Sequence, residues 1–70
     1  MKEYVIHYTV NGKGFDKDLP WIYDTAATPE DARQAHEDAV DWLRHSQEPV
    51  VWVEAREVGP WTRVDVDSLA

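Results

Sequence analysis

Cysteine is absent from this chain of 70 residues, so no disulfide can hold its fold together. At this length only about 60% of the unfolded chain's surface is buried on folding. Such a core supplies roughly 3–5 kcal/mol at most. Long apolar runs are absent too. The longest, Val50–Val53, falls far short of the roughly 20 residues of a membrane-crossing helix or the 7–15 of a signal-peptide core. These absences predict one domain over residues 1–70, placed in the cytoplasm with no membrane contact.

Basic residues are scarce. Seven Lys and Arg stand against fourteen Asp and Glu, a formal charge of −7. Nucleic acid and anionic membranes are recognised by clusters of Lys and Arg, so neither is expected as a direct ligand. A basic protein surface is the natural partner for such a chain.

The residue types that carry chemistry are equally thin. Ser46 and Ser68 are the only serines, and neither has a context that would supply a base and an oxyanion hole. His7, His36 and His45 are the only histidines. The run His36-Glu37-Asp38-Ala39-Val40 begins like a zinc-protease motif but has valine where the second histidine must stand. His36 and His45 fall on opposite sides of a helix and cannot share an ion. Asn11-Gly12-Lys13-Gly14 is too short for a phosphate loop. One helix on one sheet is expected to leave little room for a pocket of about 300 Å3 or more. No catalytic residue, metal site or cofactor is expected, and the chain is read as not an enzyme.

What the sequence does have is aromatic mass: four Trp, three Tyr and one Phe. Tyr4, Ile6, Tyr8 and Val10 alternate with Val5, His7 and Thr9, which predicts a strand over Glu3–Val10. Asn11-Gly12 then predicts a tight hairpin turn, because both central residues of a type I′ turn need positive φ. A second strand is expected from Phe15 to Thr25. Pro20 cannot donate to a sheet ladder, so that strand should lie at an edge or carry a bulge near Pro20.

Thr28-Pro29-Glu30-Asp31 reads as a helix start, with a capping hydroxyl, proline at the first turn and acids where the helix dipole favours them. The helix should run from Pro29 to about His45, with Ala32, Ala35, Ala39, Val40, Trp42 and Leu43 on its apolar face. A third strand follows over Val50–Glu57 and a short fourth over Trp61–Val66. Asp67-Ser68-Leu69-Ala70 is expected to fray. The reading is an α+β domain of two layers: an antiparallel sheet of three or four strands in the order 2-1-3-4, built β-β-α-β-β, with one helix on one face.

A single helix roofs one face of a sheet. The other is expected to expose Val5 and Trp52 with Trp61 or Ile22, and an uncovered aromatic face marks an interaction surface. On the helix, Glu30, Asp31, Glu37, Asp38 and Asp41 oppose only Arg33 and Arg44. Trp52 and Trp61 are the expected apolar contacts of a partner, with Glu37, Asp38 and Asp41 as the charged ones. A DNA mimic fits less well. Five carboxylates over about twelve helical residues give one charge per about 4 Å, against one per about 1.7 Å on duplex DNA.

The segments Thr28-Pro29-Glu30-Asp31-Ala32-Arg33 and Val53-Glu54-Ala55-Arg56-Glu57-Val58-Gly59-Pro60-Trp61 resemble in style the small acidic orphan proteins of actinobacterial phages. That resemblance implies a phage-encoded accessory protein that modulates a host protein by binding it. The expected function is a non-enzymatic protein-binding module; the alternatives are a structural homodimer joined through the open sheet face, a DNA mimic or a small enzyme.

Overall fold

The computed structural model describes residues 2–69. Strands β1 (Glu3–Val10), β2 (Trp21–Ala26), β3 (Pro49–Arg56) and β4 (Thr62–Val64) form one antiparallel sheet in the order β2-β1-β3-β4. Helix α1 (Pro29–Trp42) lies between β2 and β3 in the chain and packs across β2, β1 and β3. This is the α+β, β-β-α-β-β architecture in the order that the hydrophobic alternation implies. None of its helices is long and apolar enough to cross a membrane among the described residues.

The core follows from the period of two in the strands and the spacing of small residues in the helix. Tyr4 pairs with Ala55, Ile6 with Val53 and Tyr8 with Val51, which places all six on the face beneath α1. Ala32, Ala35 and Ala39 meet them from above, all buried. Alanine at these positions lets the helix backbone approach the sheet closely. Ile6 and Val53 are the largest fully buried side chains.

The ends of α1 are set locally. Thr28 is extended, and its Oγ1 accepts the Asp31 N–H at 3.2 Å, with Pro29 opening the first turn. Removing that acceptor leaves a first-turn donor to water alone. Thr28→Ala is expected to lower stability by about 1 kcal/mol, read as a shift of the urea midpoint, while Thr28→Ser keeps most of it.

Four expectations need correction. The helix stops at Trp42, not His45: Leu43 donates to the Ala39 carbonyl at 3.0 Å as the cap. The chain then turns through residues 44–48, and Glu48 takes positive φ (47°) to enter β3. The apolar face is also narrower than Ala32 to Leu43 by periodicity. Trp42 stands about 80° round the helix from Ala32 and Val40 about as far the other way, at 100° per residue; both are exposed, and Leu43 alone plugs the end.

The second strand begins at Trp21 and not Phe15. Asn11 (φ 58°) and Gly12 (φ 75°) make the expected turn, joining Val10 to Lys13. A second tight turn then closes Asp16 on Leu19, with N–H···O distances of 3.3 and 3.1 Å in the two directions. These two turns consume the residues expected to extend the strand. Pro20 leads directly into β2, which is an edge strand. Its bulge falls opposite Ile6 and His7, at Tyr23 and Asp24. The extra residue lets Tyr23 and Ala26, three apart, both pack against the core.

The C-terminal segment docks instead of fraying. β4 ends at Val64, and Val66–Ser68 form a 3-10 turn capped by Asp65, whose Oδ1 accepts the Asp67 N–H at 3.0 Å. That turn delivers Leu69 into the core, only 6% exposed. Ala70, the last residue of the expected fraying tail, lies outside the described residues.

Candidate functional site

The sheet face without a helix carries Val5, His7 and Thr9 from β1, with Glu54, Trp52 and Val50 opposite them on β3. It is dressed, not bare. The Trp52 indole N–H donates to Glu54 Oε2 at 2.8 Å, and the Arg63 guanidinium lies over its ring at 5.2 Å from the centroid. His7 sits beside the same ring, 5.6 Å between centroids, with Nε2 at 3.6 Å from Glu54 Oε2. Its Nδ1 lies 3.3 Å from the Trp21 carbonyl oxygen; a carbonyl only accepts, so Nδ1 carries the hydrogen. Trp52 is half-buried as a result, and Val5 is buried with no helix above it.

Trp61 is held in a related way at the end of the sheet. Arg56 places its guanidinium 4.5 Å from the Trp61 ring centroid, while its Nε donates to Glu3 at 2.9 Å. The ring stays 36% exposed. Both indoles expected to want a neighbour from another molecule therefore have an arginine from this chain over them.

The exposed aromatic surface is elsewhere, where β2 meets the C-terminal end of α1. It was not among the sequence-derived candidates. Trp42 sits over the edge strand, with its ring centroid 5.6 Å from Tyr8 and 5.5 Å from Tyr23. Tyr8 stacks on Trp21 at 6.4 Å, and Trp21 meets the edge of Phe15 at 5.7 Å. Five rings thus form one continuous chain at separations typical of favourable aromatic contacts. Its outer members are open to solvent: Phe15 is 66% exposed, Trp42 62% and Trp21 41%. Ile22, on the opposite side of the same edge strand, is 61% exposed.

Three elements build this surface. β1 and β2 hold Tyr8 and Trp21 as register partners. The bulge turns Tyr23 under the helix. The loop of two turns brings Phe15 back against Trp21. The available signal was the crowding of Phe15, Leu19, Trp21, Ile22 and Tyr23 into nine residues of edge-strand sequence, more apolar mass than a β2 strand packed on one side can hide.

The acidic helix face divides into two flanks. Glu37 pairs with Arg33 at 3.9 Å and Asp41 with Arg44 at 3.3 Å, on the flank facing Val66 and Asp67 of the C-terminal segment. Asp38 falls on the other flank, one turn before Trp42. Its carboxylate accepts only from Gln34, at 3.0 Å. Asp31 lies two turns before Asp38 on that flank, and Asp24 sits beside Tyr23 on β2. Among the described residues none of Asp24, Asp31 and Asp38 has a cationic side chain within ion-pair distance.

The expected lack of pocket volume also needs correction. An open trough of about 520 Å3 runs along β3 beyond the end of β4, lined by His36, Val51, Trp52, Arg63, Asp65 and Val66. It exists because β4 pairs with only Val53–Ala55 of the longer strand. Among the described residues no group of three or more His, Asp or Glu is placed to hold a metal ion. Comparison with known proteins adds no relative: no family model, no curated protein and no solved structure matches the chain.

Proposed function

We propose that this protein is a non-enzymatic protein-binding module whose contact surface is the aromatic patch at the edge of β2. The observation that carries this reading is the ring chain Phe15–Trp21–Tyr8–Trp42–Tyr23, with its outer indoles and phenyl ring open to solvent. Contiguous exposed aromatic surface on a small protein is costly in solubility, and where it occurs it marks an interaction site. Tryptophan and tyrosine are also the residues that most often dominate binding free energy.

The contrast within the molecule supports placing the contact there. Trp52 and Trp61 each have an arginine stacked on them, whereas Trp42 and Phe15 have ring contacts within the chain and stay 62% and 66% exposed. Trp52 thereby moves from a first-choice contact to the sheet face without a helix, Trp61 to the far end of β2 beside Ala26 and Ala27, and Asp38 is retained beside Trp42. The resemblance to phage proteins adds a source for the partner, a host protein.

A photoreactive phenylalanine analogue placed at Leu19, exposed in the loop, tests this in cells of the native host. The expected result is a cross-linked adduct of defined mass that is absent when the same analogue replaces Val58, an exposed residue away from the patch. Trp42→Ala should reduce its yield several-fold. Equal adducts from the two positions would count against a contact surface at β2.

A further inference from the structure

Taking the aromatic patch as the contact surface, we infer that its partner is a basic segment of another protein, with arginine or lysine side chains laid across Trp42 and Trp21 and against Asp24, Asp31 and Asp38. The inference rests on the proposed function and specifies the chemistry of the partner.

Charge placement carries it. All four arginines are spent inside the molecule: Arg33 on Glu37, Arg44 on Asp41, Arg56 on Glu3 and Trp61, and Arg63 on Trp52. None reaches the β2 flank. Lys13 and Lys17 border Phe15 in its loop, and Asp16 and Asp18 in the same loop offset them. That leaves Asp38 one turn before Trp42 and Asp24 beside Tyr23, with Asp31 two turns farther along the same helix flank, and none of the three has a cationic partner among the described residues. Guanidinium and ammonium groups are attracted both to carboxylates and to the faces of indoles, so a cationic side chain satisfies both features at once.

The backbone contributes less. β2 is an edge strand, but Pro20 at its start and the bulge at Tyr23 and Asp24 limit regular strand addition. Recognition therefore falls on side chains. A second copy of this chain is the poorer occupant, since each copy carries −7 and would bring its own unpaired acids to the contact.

Three synthetic peptides of equal length provide the probe: alternating arginine and valine, the same with glutamine for arginine, and the same with glutamate. Binding is followed by the indole and backbone N–H signals of the 15N-labelled protein. The arginine peptide is expected to give saturable shifts at the Trp21 and Trp42 indoles and at Asp24 and Asp38, with Trp52 and Trp61 unmoved. Asp24→Asn, Asp31→Asn and Asp38→Asn together should weaken it about tenfold, whereas Glu37→Gln with Asp41→Asn should leave it unchanged. A glutamine peptide that binds as well as the arginine peptide overturns the inference. So do shifts that spread evenly over the Glu37 and Asp41 flank, or light scattering that shows the patch occupied by a second copy. If the arginine peptide fails while the cross-link at Leu19 persists and depends on Trp42, the basic partner is wrong and the protein-binding surface stands. If both fail, the surface itself is wrong.

Discussion

Leu69→Ala is expected to lower the free energy of unfolding by about 2–5 kcal/mol, the range for truncating a buried leucine. A chain of this size commands only about 3–5 kcal/mol from its core, so the variant should be largely unfolded or close to it. The reason is geometric. One helix of fourteen residues covers the sheet with three alanines and little bulk, and Leu69 joins the buried cluster that these alanines form with Tyr4, Ile6, Val53 and Ala55. The 3-10 turn over Val66–Ser68 and its Asp65 cap exist in service of that contact. Val58→Ala is the control, because Val58 is almost wholly exposed and such surface changes stay within about 0.5 kcal/mol. Urea titrations of both variants, followed by far-UV circular dichroism, decide it. A Leu69→Ala midpoint no lower than that of Val58→Ala would mean that the tail rests on the core without holding it.

The tail also shows where sequence reasoning runs out. Asp67-Ser68-Leu69 carries one apolar residue among polar ones, and no periodicity announces a docking segment. Its role depends on the cluster built on Ala32, Ala35 and Ala39, which is a property of the packed layers. Features with strong local chemistry were readable. Asn11-Gly12 gave the turn because two positive φ values are needed there, Thr28-Pro29 gave the helix start, and strict alternation in β1 and β3 gave the two faces of each strand. The strand order followed once the helix was seen to reverse the chain.

The exposed aromatic patch was only partly readable, and for a related reason. Period alone grouped Trp42 with the buried stripe, yet a helix lying on a flat sheet buries a narrow arc, and Trp42 sits just beyond it. Trp52 seemed unprotected because the residues that cover it come from three places. Glu54 is two positions on, His7 is across the ladder and Arg63 is on β4. No sequence spacing brings those together. Asp38 alone among the acidic candidates lies beside the exposed rings, because Arg33 and Arg44 fall where they pair with Glu37 and Asp41 instead.

Gly14→Ala is expected to dismantle the proposed contact surface while leaving the sheet in place. A Cβ at this position would run into the Leu19 carbonyl oxygen and stand 2.6 Å from Pro20 Cα and 3.0 Å from the Leu19 carbonyl carbon. Every one of these atoms is backbone, so no rotamer change relieves the clash. The loop must move, at a cost of about 1–3 kcal/mol as for other overpacked sites. The turn that joins Asp16 to Leu19 then opens, and Phe15 and Trp21, held on either side of it, separate. The Trp21 indole signal and the near-UV circular dichroism should change, far-UV circular dichroism should stay near that of the parent, and the arginine peptide should lose affinity. Gly12→Ala separates this from ordinary glycine strain. Gly12 has φ 75° but open space around the missing Cβ, so its substitution costs about 1 kcal/mol and should leave Trp21 where it is. Were the two variants to leave the Phe15 and Trp21 signals equally undisturbed, the loop would not be packed against Gly14, and the aromatic chain would lose the support that brings Phe15 to its end.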